Sequence, residues 1–122
     1  MAKYKTIKGY SIQSVTTDPV ASPIAAGTWA SSPVLNNARA NLAGAGTTVD
    51  TAVFFGGSPS PAETEKYDGS SWTESGDLQN GRGQLMGCGT QTAALAAGGG
   101  PGSRAETEEF NGSTWSEESD MN

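Results

Sequence analysis

Three tryptophans, Trp29, Trp72 and Trp115, stand 43 residues apart in a chain of 122. No other feature constrains the fold as tightly. The same offset carries Leu35 to Leu78 and on to Met121, Arg39 to Arg82, Leu42 to Leu85, Gly44 to Gly87 and Gly46 to Gly89. The densest match sets Ala62–Trp72, AETEKYDGSSW, against Ala105–Trp115, AETEEFNGSTW, with seven of eleven positions identical. Composition alone points elsewhere. Leu, Ile, Val and Phe together number sixteen, and such scarcity of large apolar residues ordinarily marks a disordered chain. A disordered linker, however, has no reason to space large aromatics and glycines at one interval. The repeat therefore decides for a turn-rich array of small residues, and a collagen reading fails because the glycines do not recur every third position.

Each unit reads as four short strands. Thr51–Phe55 and Thr92–Ala97 are apolar runs stopped by Gly56-Gly57 and Gly98-Gly99, which predicts buried strands rather than helices. Glu63–Tyr67 and Glu106–Phe110 follow, then Asp68-Gly69 and Asn111-Gly112, pairs that predict type I′ hairpins. Trp72 and Trp115 open the third strand, and the Gly-rich stretches Leu42–Gly46 and Leu85–Gly89 supply a fourth. Four antiparallel strands per 43 residues fit a propeller blade. Within it the tryptophans are expected to fill core volume, and Arg39 and Arg82 to tie adjacent blades through carbonyls or Glu. Cys88 aligns with Ala45 and reads as a small buried residue. Glu63/Glu65 and Glu106/Glu108/Glu109 recur in register and are expected to form a solvated face.

Several chemistries are excluded. The chain has no His and one Cys, so it offers no Ser-His-Asp triad, no imidazole metal ligand, no intrachain disulfide and no CxxC zinc site. The acidic clusters are too regular to read as a hydrolase pair or a calcium site. GGGPG at 98–102 lacks the Lys and Ser/Thr of a phosphate loop. No catalytic residue, metal or cofactor is expected, and the chain does not read as an enzyme. No apolar stretch is long enough for a membrane span, and the opening lacks the apolar core of a secretory signal. Net charge is −6, yet residues 1–10 carry Lys3, Lys5 and Lys8 with no acid. The remaining acidic body argues against nucleic acid as a partner.

The order apolar run, Gly-Gly, acidic stretch, Tyr-Asp, Trp, Leu, Arg resembles the kelch repeat. It stands here as AVFFGG (52–57), EKYDG (65–69), Trp72, Leu78 and Arg82, then as ALAAGG (94–99), EEFNG (108–112), Trp115 and Met121. The wording LAGAGT (42–47) and GTQTAALAAGG (89–99), with the YKTIKGYSIQSV opening, is more narrowly similar to kelch-like arrays in structural proteins of marine bacteriophages. One departure is the second run, ALAAGG, which has no aromatic before its glycines. The resemblance implies an all-β fold of kelch-like β-propeller blades, preceded by an extended N-terminal arm. It also implies a virion location, as a tail fibre or appendage.

Residues 1–27 lie outside the repeat and 28–122 inside it. Tyr4, Ile7, Tyr10, Ile12 and Val15 are β-formers, and with Lys3, Lys5 and Lys8 they suit an anchoring arm that adds a strand to another virion protein. The loops that vary between repeats are Ser58, Pro59, Ser60 and Pro61 against Gly100, Pro101, Gly102, Ser103 and Arg104. They are the candidate contacts to a host-surface glycan or protein. Counting strands in kelch register gives half a blade at about 29–47, a full blade at about 51–89 and three strands at about 92–117. That count predicts a homo-oligomer, with a trimer favoured, in which the last strands of one copy complete the first blade of the next; truncation of a longer array fits as well. The alternative is a soluble glycan- or protein-binding kelch module outside a virion.

Overall fold

A computed structural model of the chain describes residues 30–59, 61–102 and 104–122. The expected arm, with Lys3, Tyr4, Lys5, Ile7, Lys8, Tyr10 and Ile12, lies outside the described residues, as do Trp29, Ser60 and Ser103. Eight strands run in order: β1 Ala43–Thr48, β2 Thr51–Phe55, β3 Thr64–Tyr67, β4 Trp72–Glu74, β5 Met86–Thr90, β6 Ala93–Ala97, β7 Thr107–Phe110 and β8 Trp115–Glu117. They form two antiparallel four-stranded sheets, β1-β2-β3-β4 and β5-β6-β7-β8. The described residues contain no helix.

This grouping corrects the strand count. The Gly-rich strand opens each sheet instead of closing the one before it: Ala43 pairs with Phe55 and Met86 with Ala97. The reason is the length of the connections. Two-residue turns, Val49-Asp50 and Gln91-Thr92, join each Gly-rich strand to the apolar run behind it, and chain neighbours joined so closely pair with each other. Strands β1–β4 thus form a four-stranded sheet within one copy.

The hairpin turns also differ from expectation. Gly69 and Gly112 take φ of 93° and 96°, but Asp68 and Asn111 are not in the left-handed region, as type I′ would demand. Each instead closes a four-residue loop with its side chain. Asp68 Oδ1 accepts from the amides of Ser70 and Ser71, both at 2.8 Å, and Asn111 Oδ1 from those of Ser113 and Thr114, both at 3.0 Å. The 43-residue offset slips to 42 across β2, because a bulge at Gly46/Thr48 adds one residue to β1.

The sheets stack face to face within the unit Ser32–Asn122. Val53 and Phe55 project from one face of the first sheet. Phe110, Trp115, Ala94 and Ala96 meet them from the second, with Leu78 and Leu85 of the connecting segment, and together these form the buried core. Phe55 meets the Trp115 ring edge-on at 4.7 Å, and Trp115 Nε1 donates to Thr64 Oγ1 across the interface at 2.9 Å. Close approach needs glycine at position 87, since a Cβ there would lie 2.7 Å from the Phe55 ring and 3.0 Å from the Gly44 carbonyl oxygen. Trp115 is 2% exposed, as a core tryptophan should be. Trp72, its equivalent, is only half-buried. It stacks on Phe54 and Tyr67 of its own sheet, each 4.9 Å away, and has no second sheet over it among the described residues. Cys88 likewise is exposed, on the outer face of the second sheet.

Candidate recognition surface

The expected solvated acidic face is only partly one. Glu63 is half-buried and Glu109 exposed, but Glu65 and Glu108 are 0% exposed. Glu65 shares the face of Phe54 and Tyr67, and Glu108 that of Ala96 and Phe110, each beside an arginine side chain equally buried. Arg39 reaches Glu63 at 3.1 Å and Glu65 at 3.2 Å; Arg82 pairs with Glu108 and donates to the Gly98 carbonyl at 2.8 Å. Both carboxylates also accept main-chain N–H bonds, Glu65 from Asn36 at 2.7 Å and Glu108 from Gln79 at 2.6 Å. Burial of these charges is possible because each is paired and hydrogen-bonded. The expectation that Arg82 ties two sheets together fits its contacts. Its main chain bonds the first sheet's β2–β3 loop at Pro61 O and at the Gly57 amide, while its side chain bonds the second sheet.

This joint positions the variable loops. Two bridges, Ala40 with Ser58 and Gly83 with Gly100, bind the β2–β3 and β6–β7 loops to the segments entering β1 and β5. Ser58, Pro59, Pro61, Gly100 and Pro101 therefore lie together within the unit Ser32–Asn122, around a cavity of about 330 Å³. Gly102 is exposed nearby, and Arg104 turns instead to Glu106 at 3.5 Å. Although the loops differ in sequence, both carry a cis prolyl bond just after the glycine pair, Ser58-Pro59 and Gly100-Pro101.

Asn41 and Gln84 line the same cavity and were not legible as candidates, since the repeat aligns them without identity. They are the two non-glycine residues with positive φ among the described residues, 58° and 56°. Such backbone strain gathers at functional sites. A hydrogen bond of 2.8 Å from the Gln84 amide to the Asn41 carbonyl holds the two side by side. Each carboxamide offers donors and an acceptor, and the neighbouring proline rings offer apolar contact, a pairing suited to a neutral polyhydroxyl ligand. A second hollow of about 800 Å³ runs along the inner strands and is lined by Gly, Ala, Thr, Val, Phe and Cys residues without a charge. No group of three or more Cys, Asp or Glu among the described residues could hold a metal ion. No helix among them is long and apolar enough to cross a membrane. Compared with known proteins, the chain matches no protein-family model and no curated protein.

Proposed function

We propose that the chain is a kelch-like propeller component of a phage particle, a tail fibre or appendage held by its N-terminal arm, whose cavity-bearing unit binds a glycan of the host surface. The observation that carries the binding role is the cavity between the two variable loops, with Asn41 and Gln84 presented into the left-handed backbone region beside exposed prolines. Its volume lies within the usual range for small-molecule sites, about 300–1,000 Å³. The virion role is supported by the repeat wording and the basic strip Lys3, Lys5 and Lys8. The test is a glycan array probed with the full chain, together with Asn41→Gly and Gln84→Gly. Glycine keeps the positive φ while removing the carboxamide, so both variants should melt as the parent does yet lose array binding. An array without hits overturns the glycan reading. Mass spectrometry of purified particles that never finds the chain overturns the virion reading; array binding without particle association would favour the soluble module.

A further inference from the structure

Among the described residues, the repeat leaves two sheet faces that no other sheet covers, and they are the two halves of the sheet–sheet interface already formed. On the outer face of the second sheet, Met86, Leu95 and Ala97 occupy the register positions of Ala43, Val53 and Phe55, which the first sheet buries. On the outer face of the first sheet, Phe54, Tyr67 and Trp72 occupy those of Ala96, Phe110 and Trp115, which the second sheet buries. Met86 is 78% exposed and Leu95 39% exposed, whereas their counterparts are core.

Side-chain volumes at the open faces are exchanged in a compensating way. In the formed interface the first sheet contributes the large Phe55 and the second the small Ala96. At the open faces the roles reverse, Ala97 being small and Phe54 large. Either way a β2 phenylalanine meets the tryptophan, which also lies against the aromatic ring of the strand beside it: Phe55 reaches Trp115 from the neighbouring sheet, with Phe110 beside it, and Phe54 lies on Trp72 from the same sheet, with Tyr67 beside it. The connecting segment is likewise present in halves. Glu118 and Met121 bond Thr107 and Ala105 through main-chain amides as Ser75 and Leu78 bond Thr64 and Ala62. Asn36 and Arg39 hold Glu65 as Gln79 and Arg82 hold Glu108.

From this we infer that the Met86/Leu95/Ala97 face of one copy docks on the Phe54/Tyr67/Trp72 face of a second copy, head to tail, repeating the internal stacking. Thr107 Oγ1 stands at the position of Thr64 Oγ1 and would accept the Trp72 indole proton, which in the single chain goes to Pro33 O at 3.0 Å. Leu35 and Met121 share one repeat position, so Ser32–Leu35 must leave the face as the second copy arrives. The exposed bonds of Ser32 and Pro33 are what it gives up. One charge reverses: Glu109 replaces Lys66, which donates to the Gly112 carbonyl in the formed interface. Added salt should therefore strengthen association by screening Glu109 from Asp68. Heterologous contacts of this kind give rings when the rotation closes and filaments when it does not.

The inference rests on the stacking geometry and not on the virion or glycan reading, so either can fail without the other. Solution mass over a range of micromolar concentrations should show multiples of the chain mass. A double substitution, Met86→Glu with Leu95→Glu, should return it to monomer while leaving the melting transition of that monomer cooperative, since both side chains are exposed. Cys88, on the docking face, reports the same event: maleimide labelling should slow about tenfold in the associated state. A parent chain monomeric at every concentration overturns the inference. So does association that survives the double substitution, or that leaves Cys88 labelling unchanged.

Discussion

Arg82 and Glu108 are both fully buried, and removing either is costly because of what the other is left with. Glu108→Ala strands a guanidinium in the interior and frees the Gln79 amide, for an expected loss of about 3–5 kcal/mol in a urea titration. Combining Arg82→Met with Glu108→Gln should cost less, because no charge stays buried and Gln still accepts the amide proton. The tryptophans differ in the same sense. Trp115→Ala should cost about 3–5 kcal/mol, and Trp72→Ala clearly less, because Trp115 is enclosed by two sheets and Trp72 by one; thermal melts of the monomeric double-Glu background separate the two. Asp68 shows an effect of pH. Hydrogen bonds from the Ser71 and then the Ser70 amide hold its carboxyl below the ordinary carboxylate value. A folded value below the unfolded one means the loop gains stability above the usual carboxylate range and loses it as pH falls through the depressed folded value. Asp68→Asn, with Asn111 as precedent, should keep the loop and remove that acid dependence, seen as a flatter stability profile at low pH.

At the scale of the element, small residues decide how close two sheets can come. Gly87→Ala would push a methyl into the Phe55 ring and the Gly44 carbonyl oxygen, both fixed in the interface, and should cost about 1–3 kcal/mol. Gly44→Ala meets the Phe54 ring, 2.5 Å from its ideal Cβ, but that ring is half-buried and can turn aside, so the melting temperature should fall less. What the sequence made legible follows from signal strength. The strands β2, β3, β6 and β7 were readable from apolar runs, glycine stops and the repeat. The partner of β1 was not, because Ala43–Thr48 is Gly and Ala with Thr and carries no alternation to say which strand it faces. Nor could Glu65 and Glu108 be told from Glu63 and Glu109. All four are glutamates near one another, and it is a distant covering segment with its arginine, Asn36–Arg39 over Glu65 and Gln79–Arg82 over Glu108, that buries two of them. The cavity was hidden for a related reason, since four segments far apart in the chain make it.

At the scale of the whole molecule, the described strands all lie within Ser32–Asn122. Removing residues 1–20 should therefore leave the melting temperature of the remainder unchanged in a circular-dichroism scan, and a collapse of that transition would show that the leading residues belong to the core. The two sheets should unfold together, because Arg82 is fastened to one by its main chain and to the other by its side chain. That fastening bears on how such chains change over generations. Arg39 stands to the first sheet as Arg82 stands to the second, so every 43-residue unit brings its own fitting for the unit that follows. A tandem duplication or loss of one unit by recombination regenerates the joint at the new boundary without any compensating substitution. Copy number is thus the cheapest property of this gene to alter, and natural variants should differ by whole units sooner than by insertions within a strand.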